Sequence, residues 1–160
     1  MKINSLTKEE FVSALGWIFE HSPWVAERAW AGRPFQSREE LHAHLTQIVA
    51  KASYEEQLAL LRAHPDLGTK AQVSPISARE QAGVGLDNLT ESEYEHLLQL
   101  NAEYKSRFGF PFLYAVKGSD KFQILAALER RLQSSPETEF QTALEQVYRI
   151  ALFRLENTNL

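Results

Sequence analysis

A histidine near the end of a predicted helix is the first candidate for acid–base chemistry. His64 precedes Pro65, which disfavours helical geometry in the residue before it, so we expect the helix that carries Leu58 and Leu61 to end there. The imidazole would then project into a loop, where this side chain serves well as a proton donor or acceptor near neutral pH. A surface histidine with no role is the alternative. The other four histidines lack zinc-ligand spacing with an accompanying acid, so we predict no metal site.

Three polar side chains follow one another within a helical turn. Ser77, Glu80 and Gln81 offer a hydroxyl, a carboxylate and an amide, a set that suits a polar heterocycle better than an apolar ligand. Ser77 and Glu80 also have the spacing of a capping box, in which each side chain binds the backbone amide of the other residue. Spacing alone favours this capping role for Glu80.

An arginine falls on the apolar face of the last predicted helix. At about 100° per residue, Arg154 lies inside the arc of apolar positions between 140 and 151. A buried guanidinium needs a carboxylate or an anionic ligand to accept its hydrogen bonds. The alternatives to ligand binding are an internal salt bridge or a side chain that extends into solvent from the last turn. Position alone slightly favours these alternatives.

Helices must position these side chains, and the sequence marks where the helices begin. Five capping boxes are predicted, at Thr7 with Glu10, Ser37 with Glu40, Ser53 with Glu56, Ser77 with Glu80, and Thr90 with Glu93. Proline at the predicted first helical position marks two further starts, Ser22-Pro23 and Ser135-Pro136. Apolar residues then recur at helical spacing, as at positions 11, 14, 15, 18 and 19. We predict an all-α fold, a single-domain bundle of about seven or eight helices over residues 1–160.

A loop rich in aromatic residues interrupts the helical pattern. Phe108, Phe110, Phe112 and Tyr114 occupy alternate positions, and we expect them to be core or interface anchors and not a cofactor site. Residues 112–116 are the one candidate for an extended segment. Five residues cannot build a sheet, so the all-α prediction stands.

Composition excludes several classes of protein. The 160 residues include 17 Lys and Arg against 21 Asp and Glu, a net charge of −4 that argues against a nucleic-acid partner. The absence of cysteine excludes disulfides, thiolate metal sites, iron–sulfur clusters and a cysteine nucleophile. No apolar run has the length of a signal peptide's core or of a membrane span. We expect a cytoplasmic protein with no membrane partner.

The motifs, taken in order along the chain, resemble those of the OHCU decarboxylase family. They are His64-Pro65-Asp66-Leu67, Ser77-x-x-Glu80-Gln81, Asn101-x-x-Tyr104, Phe108-Gly109-Phe110-Pro111-Phe112 and Arg154, within a resemblance that runs from about Leu6 to Leu155. The family converts 2-oxo-4-hydroxy-4-carboxy-5-ureidoimidazoline (OHCU) to (S)-allantoin and carbon dioxide, the last step of uric acid degradation. The resemblance implies a small-molecule substrate, an all-helical fold of its own type, usually a homodimer, and no metal or organic cofactor.

The resemblance also implies a role for eight residues of this chain. His64 and Glu80 match the catalytic pair, which changes the interpretation of Glu80 from helix cap to catalytic residue, although one position can serve both roles. The residues that match substrate contacts are Pro65, Ser77, Gln81, Phe112, Leu113 and Arg154. In the Phe112 region the contacts come from the main chain.

Two other functions stay open. One is a different ureide-pathway enzyme, such as a hydroxyisourate hydrolase, which would release no carbon dioxide from OHCU. The other is a non-catalytic helical interaction module whose exposed aromatic loop binds a partner. The presence of His64, Glu80 and Arg154 argues against the second.

Overall fold

The structure, a computed structural model, describes residues 1–68 and 74–160. These residues form eight α-helices and two short 3-10 helices, and none of them forms a β-strand. The α-helices are α1 (Lys8–Leu15), α2 (Trp24–Ala29), α3 (Arg38–Lys51), α4 (Tyr54–Arg62), α5 (Pro75–Ala82), α6 (Glu91–Phe108), α7 (Lys121–Arg131) and α8 (Pro136–Glu156). The 3-10 helices span Lys2–Ser5 and Trp30–Gly32. The all-α prediction is confirmed.

The chain groups into two compact units. The first unit consists of Met1–Ala63 and Tyr148–Leu160, and its core includes Phe11, Leu15, Leu41, Leu45, Val49 and Leu155. The second unit is His64–Val147, and its core includes Leu97, Tyr104, Phe112, Ile124, Leu128 and Leu144. In both units the buried positions recur at the helical spacing read from the sequence. The prediction of a single domain over residues 1–160 stays a prediction.

Side-chain caps begin most of the helices as predicted. Complete capping boxes form at Thr7, Ser53 and Thr90. Ser37 accepts a hydrogen bond from the Glu40 amide, but the Glu40 carboxylate accepts from the amide of Gln36 instead of closing the box. The Ser135 hydroxyl accepts from the Thr138 amide at the start of α8, as its proline predicts.

The capping box predicted at Ser77 and Glu80 is wrong. α5 begins earlier, at Pro75, and the Ser74 hydroxyl accepts from the Ser77 amide at 3.2 Å. Proline suits this first helical position because its missing N–H has no partner there in any helix. Ser77 therefore lies inside the first turn and Glu80 in the second, where a side chain has no orphan amide to cap.

The end of α1 also differs from the prediction. The helix stops at Leu15, so Ile18 and Phe19 are buried outside it and not on its face. His21 lies in a turn with a φ of +46°. At the next start, α2 begins at Trp24, so Pro23 takes the N-cap position one residue before the predicted role. This irregular connection leaves backbone carbonyls between α1 and α2 available to side chains.

The aromatic loop contributes to the core of the second unit. Gly109 ends α6 in the left-handed conformation, with a φ of +81°, which glycine adopts without strain. Phe110 and Phe112 are buried and pack against the ring of Tyr104, with centroids 5.9 and 5.4 Å away. The prediction of core anchors is confirmed for Phe110 and Phe112, while Phe108 and Tyr114 are half-buried. Residues 112–116 carry no regular secondary structure.

Over the described ranges, we find no helix with both the length and the apolar character needed to cross a membrane.

The ion pair between Arg28 of α2 and Glu56 of α4 predicts a pH dependence. The hydrogen bond from Arg28, followed by the Ser53 amide, lowers the pKa of Glu56 from 4.5 to about 2. A lowered carboxyl pKa stabilises the folded state above pH 4.5, and that contribution is lost as the pH falls from 4.5 through 2. We expect Arg28→Gln to raise the pKa of Glu56 towards 4.5, short of full recovery because the Ser53 amide remains.

A ¹³C NMR titration of the Glu56 carboxyl carbon measures this shift. Lys121→Gln, which removes the partner of Glu93 in the second unit, is the matched control and should leave Glu56 unchanged. A Glu56 pKa that stays near 2 in Arg28→Gln would contradict the assignment.

Candidate active site

The connection after α4 carries the first candidate residues. α4 ends at Arg62 with Ala63 as its C-cap, so His64 leaves the helix as Pro65 predicts. His64 is 8% exposed, which makes the surface-histidine alternative wrong. The Asp66 carboxylate lies 3.4 Å from the ammonium nitrogen of Lys105, an exposed contact to α6.

In this connection, both polar atoms of the peptide group between Leu67 and Gly68 are hydrogen-bonded to side chains of helices. The Leu67 carbonyl accepts a hydrogen bond from Asn101 Nδ2 of α6 at 3.0 Å. The Gly68 amide, in the same peptide group, donates to Gln81 Oε1 of α5 at 2.9 Å. We call this arrangement the peptide clamp. It ties the segment of His64 to two helices through buried side chains.

Glycine is the residue type that fits position 68. Gly68 has a φ of +71°, a conformation that side chains with a Cβ adopt at a cost in energy. A Cβ at this position would also lie 2.2 Å from Leu97 Cδ2, closer than van der Waals contact allows. The clamp therefore depends on a close approach of backbone to α6.

α5 presents the polar triplet on one face. Ser77, Glu80 and Gln81 stand at spacings of three and four residues, which brings them together along a helix. Ser77 and Gln81 are buried, while Glu80 is half-buried. Because the clamp engages Oε1 of Gln81, its Nε2 is the group that can donate to a ligand. The prediction that Gln81 contacts substrate therefore applies to its Nε2 group.

Phe112 and Leu113 lie in the same unit and are nearly inaccessible, at 1% and 3% exposure. The Leu113 carbonyl accepts a hydrogen bond from Arg131 Nη1 at 2.6 Å. The amides of Phe112 and Leu113 donate no hydrogen bond to any described residue. Since buried backbone donors are almost always paired in proteins, these amides are suited to contact a ligand.

Arg154 belongs to the first unit, where it forms the internal salt bridge that sequence position favoured. Its Nη2 donates to Glu20 Oε2 at 3.0 Å, and both side chains are almost fully buried. Its Nη1 contacts the carbonyls of Trp17 and Ile18 at 3.3 and 3.2 Å. The early end of α1 supplies these two acceptors. These contacts hold the guanidinium in a defined orientation.

A depression of about 840 Å³ lies beside the clamp in the second unit. Its lining residues are Gly68, Leu86, Asp87, Leu89, Glu91, Tyr94, Glu95 and Leu98. This lining includes no residue predicted to catalyse or to contact substrate. We therefore do not assign the substrate to it. Over the described residues, no group of three His, Asp or Glu side chains is placed to hold a metal ion.

The comparison with known proteins assigns the family. The family model described as OHCU decarboxylase matches residues 4–156. The chain belongs to the OHCU decarboxylase family. It is 51% identical to the 2-oxo-4-hydroxy-4-carboxy-5-ureidoimidazoline decarboxylase of Haloferax volcanii, over 96% of this chain and 92% of that protein. The resemblance identified from the motifs is confirmed.

Solved structures agree with this membership of the OHCU decarboxylase family. A crystal structure of (S)-allantoin synthase superposes with a TM-score of 0.78 at 38% identity, covering 98% of this chain and 52% of that one. A crystal structure of an OHCU decarboxylase in the presence of (S)-allantoin gives a TM-score of 0.72 at 20% identity, covering 95% and 97%. The second likeness shows the shared fold.

Sequence reasoning missed two acidic partners in this family member. Glu20 is paired with an arginine 134 positions away, a distance over which local patterns carry no information. Glu139 is buried against Arg131, but in the sequence it reads as an ordinary acid in the first turn of α8. The apolar surroundings of Glu139 at Phe140, Ala143 and Leu144 are the one signal that could have indicated burial.

The peptide clamp makes a prediction about the Gly68 amide. Gln81→Leu removes its acceptor, and Asn101→Leu releases the carbonyl of the same peptide group. We expect each variant to speed hydrogen exchange of the Gly68 amide by about fivefold or more, since a buried hydrogen bond contributes about 1 kcal/mol or more. Exchange measured by NMR tests this.

Gln57→Leu is the matched control for the clamp. Gln57 also binds backbone, donating to the Val49 carbonyl at 2.9 Å, but it lies in the first unit. Its loss should leave exchange at Gly68 unchanged. Equal exchange rates in wild type and both clamp variants would contradict the clamp.

Proposed function

We propose that this protein decarboxylates OHCU to (S)-allantoin and carbon dioxide in urate degradation. Family membership gives the reaction class. The observation that carries the proposal is the register of α5. Because Ser74 caps this helix, Glu80 lies in its second turn and on the same face as Ser77 and Gln81. The side-chain oxygen of Gln81 accepts a hydrogen bond from the segment that carries His64.

The structure of the substrate explains why acid–base and hydrogen-bonding side chains are enough for this decarboxylation. Its hydroxyl and carboxylate share one ring carbon, and the neighbouring ring carbon, which bears the ureido group, is double-bonded to nitrogen. When the carbon–carboxylate bond breaks, carbon dioxide leaves and the electron pair moves towards this C=N bond. The ring nitrogen takes up a proton, the hydroxyl loses one as it becomes a carbonyl, and the ureido-bearing carbon gains one. The substrate supplies its own electron sink, so an organic cofactor is unnecessary.

The proposed roles follow from the chemistry of each side chain. His64 acts as general acid and base near the hydroxyl and the reacting carbon, and Glu80 orients the substrate or tunes His64. Arg154, oriented by Glu20, binds the anionic substrate oxygens. Ser77, Gln81, Pro65 and the main chain at Phe112 and Leu113 complete the contacts. Protonation of one face matters, because the uncatalysed reaction gives racemic allantoin.

We further propose that the protein is a cytoplasmic homodimer that functions as one domain without metal or cofactor. The family resemblance supports the dimer. The electron sink within the substrate supports the absence of a cofactor. The non-catalytic interaction module is disfavoured, because the aromatic loop it would use is largely buried at Phe110 and Phe112.

A coupled assay tests the proposed function. Urate oxidase and hydroxyisourate hydrolase generate OHCU from urate in the presence of the protein, and trapped carbon dioxide is measured together with allantoin. We expect carbon dioxide release well above the uncatalysed rate. In a parallel reaction without added hydrolase, faster hydroxyisourate consumption would support the hydrolase alternative instead, if the full assay shows no carbon dioxide release above the uncatalysed rate.

The catalytic pair makes a separate prediction. We expect His64→Asn and Glu80→Gln each to lower kcat/KM by about 10²- to 10⁴-fold, the range for loss of general acid–base catalysis. Thermal unfolding of each variant checks that the fold is retained, so that the loss of kcat/KM is measured on folded protein.

His96→Asn is the matched control for the histidine. His96 is exposed and contacts Glu129 at 2.8 Å, so its loss should change kcat/KM by less than about twofold. Near wild-type activity in both His64→Asn and Glu80→Gln would overturn the catalytic assignment.

A further inference from the structure

Three buried polar side chains form a cluster in the second unit. Arg131, Glu139 and Tyr104 are 8%, 1% and 0% exposed. Arg131 Nε donates to Glu139 Oε1 at 2.6 Å, and the Tyr104 hydroxyl donates to the same oxygen. Burial, together with the bond to Glu139, raises the pKa of Tyr104, so its hydroxyl remains a donor. We call this group the arginine cluster.

The guanidinium of the arginine cluster contacts both residues predicted to bind substrate through their main chain. Arg131 Nη1 donates to the Leu113 carbonyl at 2.6 Å. The guanidinium carbon also lies 4.5 Å from the ring centroid of Phe112, which is within range of a cation–π interaction. One side chain therefore holds the backbone of one residue and the ring of the other.

The segment that Arg131 holds has no regular hydrogen bonding of its own. Residues 112–115 make no backbone–backbone hydrogen bond with another described residue. Their orientation comes from side chains instead, since Gln146 Oε1 also accepts from the Ala115 amide at 2.9 Å. Without a helix or sheet to set the peptide planes, these two side chains determine where the backbone groups point.

Because a peptide group is planar, the hydrogen bond to the Leu113 carbonyl also sets the direction of the Tyr114 amide. The carbonyl of Leu113 and the amide of Tyr114 belong to one planar group and point in opposite directions. The bond from Arg131 thereby directs the Tyr114 amide away from the arginine cluster. None of the amides of residues 112–114 donates a hydrogen bond to a described residue.

We propose that Arg131, held by Glu139 and Tyr104, is the positioning residue for the main-chain donors at 112–114 that bind acceptor oxygens of the substrate. This inference rests on the proposed function. A structural ion pair with no other role is the competing account, and the two differ in what an apolar replacement does. A buried ion pair can be exchanged for apolar residues without loss of stability, but apolar residues cannot orient the Leu113 carbonyl.

The test replaces the whole arginine cluster at once. The triple variant Tyr104→Phe, Arg131→Met and Glu139→Leu leaves no member of the cluster as an unpaired buried polar group. Thermal unfolding reports the fold, ¹H–¹⁵N spectra report the amides of residues 112–114, and titration with (S)-allantoin reports binding. Lys121→Met removes a half-buried ion pair in the same unit that does not contact this segment, and serves as control.

We expect the triple variant to fold cooperatively with a moderately lower Tm, because the buried Leu113 carbonyl loses its donor, to shift the amide signals of residues 112–114, and to bind (S)-allantoin more weakly. Its kcat/KM should fall by about tenfold to a hundredfold, the scale for substrate misplaced by a fraction of an ångström to an ångström. Lys121→Met should match wild type. A folded triple variant with wild-type kcat/KM and wild-type (S)-allantoin affinity would overturn the proposal.

Arg131→Lys covers the case in which the triple variant does not fold. Lysine keeps the charge opposite Glu139 but lacks the fork that bonds the carboxylate and the Leu113 carbonyl together. We expect a folded protein with reduced kcat/KM, and wild-type kcat/KM in this variant would also overturn the proposal.

The wild-type protein separates the proposed function from the positioning role of Arg131. No turnover of OHCU by wild type refutes the proposed function, whereas turnover by wild type with unaffected variants refutes the positioning role alone.

Discussion

The peptide group between Leu67 and Gly68 is the constraint on which the candidate site depends. Its carbonyl is bonded to Asn101 of α6 and its amide to Gln81 of α5, so one rigid planar unit joins both helices to the chain that carries His64. The close approach requires glycine at position 68, where any Cβ would meet Leu97. The side chain proposed as catalytic, at a helix end, is thereby given a defined position without regular structure around it.

Polar side chains also bind the backbone in two other segments that lack regular secondary structure. Arg131 and Gln146 orient the backbone of residues 112–115, and Arg154 binds the carbonyls of Trp17 and Ile18 after α1 ends early. In each case a buried or half-buried side chain satisfies a backbone group that a helix would otherwise satisfy. Helices supply the frame, and polar side chains from that frame fix the connections that carry the proposed site residues.

Local signals explain what could be predicted from the sequence. The end of α4 before Pro65 and the helix start at Thr90 each follow from a few neighbouring residues, and both were predicted correctly. The start of α5 was wrong because Ser74-Pro75 and Ser77 offer competing caps three residues apart. The pairs of Glu20 with Arg154 and of Glu139 with Arg131 escaped prediction, because tertiary packing and not spacing brings them together. The motif set nevertheless identified the family.

The stereochemistry of turnover in D₂O tests the central claim most directly. If His64 and Glu80 hold the substrate while a proton is delivered to one face, wild-type protein with freshly generated OHCU should yield (S)-allantoin carrying deuterium at the ureido-bearing carbon. Circular dichroism measures the enantiomer, and mass spectrometry or NMR measures the deuterium. Racemic allantoin, formed at the uncatalysed rate and captured before the product itself racemises, would contradict the account.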